Sequence, residues 1–119
     1  MPTDWSDQII VCELGDEPAL SEELNAAYDR LGGGAGQVKK HVVLNFSGVS
    51  YVSSSHLAQT LRLRKKCADI GRMLILCSLN DQVWSVFTLT GLDRVFRVTQ
   101  DPLTALATLQ LESDQSMTE

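Results

Sequence analysis

"HVVLNFSGVSYVSSSHLAQTLRLRKKCADIGRMLILC", residues 41–77, sets two almost continuous apolar runs on either side of a basic, leucine-spaced stretch. The runs "HVVLNF" at 41–46 and "RMLILC" at 72–77 do not alternate apolar with polar residues. Strands of that kind are covered on both faces, as when helices flank a mainly parallel sheet. Between them the spacing predicts a helix from about Ser54 to Ile70, ended by Gly71. Leu57, Ala58, Leu61 and Ala68 lie on one side of it, and Leu63, Cys67 and Ile70 widen the stripe. A strand, a helix and a second strand in this order make a crossover unit, expected to be right-handed. The fold class is therefore α/β.

Working outward toward the N-terminus, "QIIVCEL" at 8–14 reads as another strand before the turn-forming "GDEP". Ser21 is placed to cap a helix carrying Leu24, Ala27, Tyr28 and Leu31, with Glu22 and Glu23 near its positive end. "GGGAG" at 32–36 stops that helix. Toward the C-terminus a helix is expected from near Asn80 to about Gly91 with Val83, Trp84, Val86 and Phe87, followed by a short strand "VFRV" at 95–98. The last helix has Asp101 as N-cap and Pro102 in its first turn, with Leu103, Leu106, Ala107 and Leu111 on one face. The expectation is one domain over residues 1–112, with about four strands and about four helices, and a polar, disordered tail at 113–119. There is no internal repeat.

The totals narrow the function. A chain of 119 residues with 44% apolar content can bury a real core. Fifteen acidic against ten basic residues give a charge of −5, a field that repels nucleic acid and anionic membranes. No apolar run is long enough to span a bilayer, and "MPTDWSDQII" lacks the basic-then-apolar order of a secretory leader, so the expected location is the cytoplasm. Cys12, Cys67 and Cys77 are odd in number, widely separated and set in apolar runs. They read as small buried thiols, and neither zinc nor a disulfide framework is expected.

Chemistry is sparse. "GGGAGQVKK" follows a helix, not a strand, and lacks the Lys-Ser/Thr pair of a phosphate loop, so it reads as a connector. His41 reads as a partly exposed residue at a strand start. "RLRKK" at 62–66 fits either a solvated helix face or a surface for an acidic partner. Ser53, Ser54, Ser55 and His56 do not read as a nucleophile with its base, because neighbours at a helix start point in different directions. No acid and base pair, metal set or cofactor motif is present, and the chain is not expected to be an enzyme. A helix N-terminus does offer unpaired amides and a partial positive charge. There the serines can cap the helix, or one can carry a phosphate that the dipole favours.

Residues 42–98 resemble a STAS domain of the bacterial anti-sigma factor antagonist type. "LNFSGV" at 44–49 stands where the family has D/N-L-S-x-V, and "YVSSSHL" at 51–57 where it has F-x-D-S-S-G-L. "GRMLIL" at 71–76 and "LTGLDRVF" at 89–96 are similar to the family's G-x-L strand and its L-T-G-L-D-x-x-F segment. The resemblance implies a binding module that docks on an anti-sigma factor of the serine kinase type and so frees a sigma factor. Phosphorylation of the first family serine ends that contact, and a phosphatase resets it. Carried across, the phosphoacceptor falls on Ser54 and the second serine on Ser55. The contact loop would present Tyr51, Ser53, Ser55, His56, Leu57 and Gln59.

Two positions depart from the family pattern, since its aspartate is Ser53 here and its glycine is His56. These changes favour an alternative, a STAS scaffold or accessory subunit of a stress-sensing assembly or lipid transporter that works without phosphorylation. Family members also commonly open with a β-hairpin, whereas only seven residues precede "QIIVCEL", so the first strand is expected to be short or missing. Two arrangements follow for the sheet edge. It pairs with a second chain in a homodimer, or the N-terminal segment with Trp5 covers it.

Overall fold

The structure is a computed structural model that describes residues 2–118, the side chains of residues 112–118 excepted. The side chains of the expected tail at 113–119 therefore lie outside the described residues. A five-stranded sheet runs in the order β1-β2-β3-β4-β5. The strands are β1 (Thr3–Asp4), β2 (Ile9–Gly15), β3 (His41–Gly48), β4 (Leu74–Cys77) and β5 (Arg97–Thr99). β2 through β5 are mutually parallel, and β1 lies antiparallel on β2. The crossovers are α1 (Ala19–Arg30), α2 (Ser54–Asp69) and α3 (Asp81–Leu89), the last followed by a 3-10 turn at Leu92–Arg94, and α4 (Pro102–Thr118) closes the chain.

The continuous apolar runs arise because both faces of the sheet are covered. One face, with Ile10, Cys12, Val42, Leu44, Phe46, Leu74 and Leu76, packs against α1, α2 and α3. Phe46, Phe87 and Phe96 meet edge to face there, with centroids 6.3 Å and 5.6 Å apart. The other face, with Ile9, Val43, Ile75 and Cys77, is closed by Ala105, Leu106 and Leu109 of α4. All three cysteines are buried free thiols, and burial pushes Cys12 and Cys67 up to about 12 and Cys77 up to about 11.

Several expectations are corrected. The strand count rises from about four to five, because the first strand forms, short as expected, where the N-terminal segment folds back and pairs Thr3 with Val11 and Asp4 with Ile10. Asp4 is pinned by Arg30 and by Lys40 at 3.1 Å, which anchors so short a strand. The N-terminal segment thus covers the start of the β2 edge, where the Trp5 amide donates to the Ile9 carbonyl at 3.0 Å, while Trp5 itself stays 51% exposed. Ser21 is not an N-cap: α1 starts earlier, and the Ser21 amide and hydroxyl both donate to the Glu17 carboxylate, at 2.6 Å and 2.9 Å. The longer acid reaches over the first turn and satisfies a free amide from the preceding loop.

His41 is not partly exposed either. It is buried, and its Nδ1 accepts the Met73 amide at 3.0 Å, joining the starts of β3 and β4. β5 begins at Arg97, later than the expected 95, because the chain is still turning while Phe96 enters the core. The buried side of α2 consists of His56, Leu57, Thr60, Leu63 and Cys67, leaving Ala58, Leu61 and Ala68 exposed. In α4, Leu103 and Leu111 are exposed and Ala105, Leu106 and Leu109 are buried. The basic run "RLRKK" also divides: Arg62 and Lys66 lie over the Tyr28 ring at 4.5 Å and 4.4 Å, and Lys65 pairs with Asp69. Among the described residues, no helix is long and apolar enough to cross a membrane.

Candidate functional site

The loops leaving the C-terminal ends of β2, β3 and β4 gather at one end of the sheet. Ligand and partner sites of open parallel sheets lie at that end. β2 and β3 approach closely there through a bulge, and a Cβ at Gly48 would stand 2.7 Å from the Leu14 carbonyl oxygen. Only glycine leaves room for that contact. Asn80 caps α3 through the Val83 amide at 2.8 Å and donates its own Nδ2 to the Val49 carbonyl at 3.0 Å.

The three serines have separate environments. Ser53 is the N-cap of α2, with extended backbone, and its Oγ accepts the His56 amide at 3.4 Å. His56 answers with Nδ1, which accepts the Ser53 amide at 3.0 Å. This is a capping box in which histidine stands where glutamate or glutamine is usual. With Nδ1 as acceptor, the neutral ring carries its proton on Nε2, which faces Glu17 Oε1 at 3.3 Å. Ser54 and Ser55 occupy the first turn with exposed side chains, where helix geometry leaves their amides without intrahelical acceptors.

A second clasp runs from the β2–α1 loop: Asp16 accepts the amide and the hydroxyl of Ser50, both at 2.7 Å. The Ser50 amide, then its hydroxyl, hold the Asp16 carboxyl below its usual range. Glu17 is likewise held low, chiefly by the Ser21 amide and hydroxyl and to a smaller extent by His56. Both acids are thus ionised at neutral pH and fix the serine loop through charge-assisted bonds.

The side chains expected at a partner surface fall into two groups. Tyr51, at 60% exposure, joins Ser54 and Ser55 on the outside. Ser53 is half-buried in the cap, and His56 and Leu57 point inward at 5% and 8% exposure. Gln59 is half-buried between helices, near Asn25 at 3.4 Å and Ser21 at 3.5 Å. Sequence reasoning missed Asp16, Glu17 and Ser50, whose partners are distant in the chain. The His56 cap had a local signal, a serine followed three positions later by a side chain able to accept a hydrogen bond.

The sequence matches the STAS domain family over residues 14–105. The fold is similar to that of an anti-sigma-factor antagonist (STAS) domain protein from Planctomyces limnophilus, at 18% identity and a TM-score of 0.76, covering 92% of this chain and 97% of that one. It is similar also to a serine-to-glutamate variant of RsbS from Moorella thermoacetica, at 16% identity and a TM-score of 0.78, covering 96% and 97%.

Proposed function

The chain belongs to the STAS domain family, and from that premise we propose that it is an anti-sigma factor antagonist switched by phosphorylation of Ser54. The observation that carries this reading is the division of labour among the serines. Ser53 uses its hydroxyl on the cap, while Ser54 stands exposed on the first turn of a helix whose entry is fixed by Asp16, Glu17 and His56. The unmodified face, with Tyr51 and Ser55 beside Ser54, docks on an anti-sigma factor of the serine kinase type. Ser53, His56, Leu57 and Gln59 shape that face from beneath.

A phosphate on Ser54 adds about −1.5 to −2 charge and three acceptor oxygens to a surface already bearing ionised Asp16 and Glu17. The helix dipole tolerates it, so α2 stays folded, while an interface fitted to a hydroxyl loses shape and charge match. A phosphatase restores the contact. The test is intact-mass spectrometry of the protein from its native host under phosphatase inhibition, followed by binding to the host's anti-sigma kinase. A single phosphate on Ser54 is expected. Ser54→Asp should abolish binding with an unchanged melting curve and Ser54→Ala should bind constitutively; equal binding by the two variants would sink the switch.

Ser53 favours a second reading, because a neutral capping hydroxyl stands where the family offers a kinase the charge of an aspartate. On that reading the chain is a constitutive STAS subunit of a stress-sensing assembly or a lipid transporter. Its complex would be stable and indifferent to ATP.

A further inference from the structure

We propose that a groove between α3 and the start of α4 holds a bulky apolar side chain from a basic segment of a partner protein. The groove, about 700 Å³, runs past the end of β5, the last strand of the sheet. Leu79, Trp84 and Val98 give it apolar walls, and Thr99, Gln100 and Thr104 give it a polar rim. Among the described residues, no charged side chain lines it. Trp84 stays 38% exposed there, and Leu103, next to Thr104 in the chain, is 77% exposed. An apolar centre with an aromatic anchor and a polar rim is the anatomy of a protein contact.

Charge decides the chemistry of the partner. The four loops that leave the C-terminal ends of β2 to β5, with the first helical residue after each, carry Asp16, Glu17, Asp81 and Asp101 and no lysine or arginine. Asp81 opens the helix that carries Trp84, and Asp101 stands between Gln100 and the first turn of α4. The Thr104 amide, at 2.7 Å, and then its hydroxyl hold the Asp101 carboxyl below its usual range. These are neutral donors, which fix the carboxylate and leave its charge in place. A basic segment is steered toward such a rim and an acidic one is repelled. The groove is also continuous with the Ser54 face, because Asn80, next to Leu79, caps α3 and donates to the Val49 carbonyl of the serine loop at 3.0 Å. On the other side of Leu79, Ser78 is held in left-handed backbone at φ 61°, which serine seldom adopts. Backbone strain of this kind clusters at binding sites. Nothing in this contact requires phosphorylation of Ser54.

The test is selection of a phage-displayed library of short random peptides on the full chain, followed by NMR titration with the most enriched peptide made synthetically. Enriched sequences are expected to share a bulky apolar residue flanked by lysine or arginine. The peptide should saturate the protein one-to-one below about 1 mM and move the amides of Leu79, Trp84, Thr99 and Gln100. Gln100→Lys, which sets a like charge in the groove at an exposed position, should weaken binding about tenfold or more. Asp81→Asn with Asp101→Asn, which keeps a capping side chain on α4, should weaken it about threefold or more at low salt. Asp29→Asn with Asp69→Asn, the same charge change at the other end of the sheet, should stay within about 1.5-fold. The shift map uses the unaltered protein, so it decides the matter even where a variant folds poorly. No consensus, an acidic or uncharged one, no saturation by about 1 mM, shifts centred elsewhere, or equal weakening by the Asp29 and Asp69 pair would each overturn the proposal. So would movement of the same amides on dilution without peptide, which would give the groove to a second copy of the chain.

Discussion

His56 does the work of three contacts at once. It closes the capping box on Ser53, fills space at 5% exposure and reaches Glu17 on a different loop. Glycine, the family's residue there, can do none of these. Ser53→Ala removes the cap acceptor and the 3.2 Å approach of its hydroxyl to His56 Nδ1, and is expected to cost about 1 kcal/mol. His56→Gly loses the reciprocal bond and the packing and adds glycine's helix penalty, so it should cost about 2–3 kcal/mol. Urea unfolding of both variants checks the order, and a His56→Gly protein as stable as Ser53→Ala would show that the histidine is dispensable to the fold.

Rotation of a helix about its axis decides which leucines carry stability. In α4 the sequence stripe of Leu103, Leu106, Ala107 and Leu111 is one way to draw an apolar face, and Ala105, Leu106 and Leu109 is another. The second wins because α4 must close the sheet face formed by Ile9, Val43, Ile75 and Cys77. Leu109→Ala, at a position with no exposure, should therefore cost about 2–4 kcal/mol. Leu111→Ala, at 63% exposure, should stay within about 0.5 kcal/mol. Thermal or urea unfolding of the pair distinguishes the two faces. In α2 the same ambiguity arose because the inward positions include two polar residues, His56 and Thr60, which a count of apolar spacing passes over. Thr60 is at home there because its hydroxyl donates to the His56 carbonyl at 2.7 Å.

At the scale of the whole molecule, the thiols report on global opening. Cys12 and Cys67 lie in the core between the sheet and its helices, and Cys77 lies under α4. Burial holds all three thiols well above the ordinary cysteine range. An aromatic disulfide reagent at neutral pH should leave the native protein almost unreacted and label all three cysteines together on unfolding. Fast reaction of one cysteine in the native state would reveal a local opening through that layer.

The sequence by itself determined the α/β class, the parallel core strands, the three crossover helices, the terminal helix and the placement of the serines at the start of α2. Those features follow from local chemistry: continuous apolar runs, caps and glycine stops act over a few residues. Only the tertiary structure decided which helix faces are buried, how β1 covers part of the edge, and how Asp16 and Glu17 clasp Ser50 and His56. Each depends on groups far apart in the chain meeting in space, and one-dimensional spacing carries no record of such a meeting until the sheet has set its register.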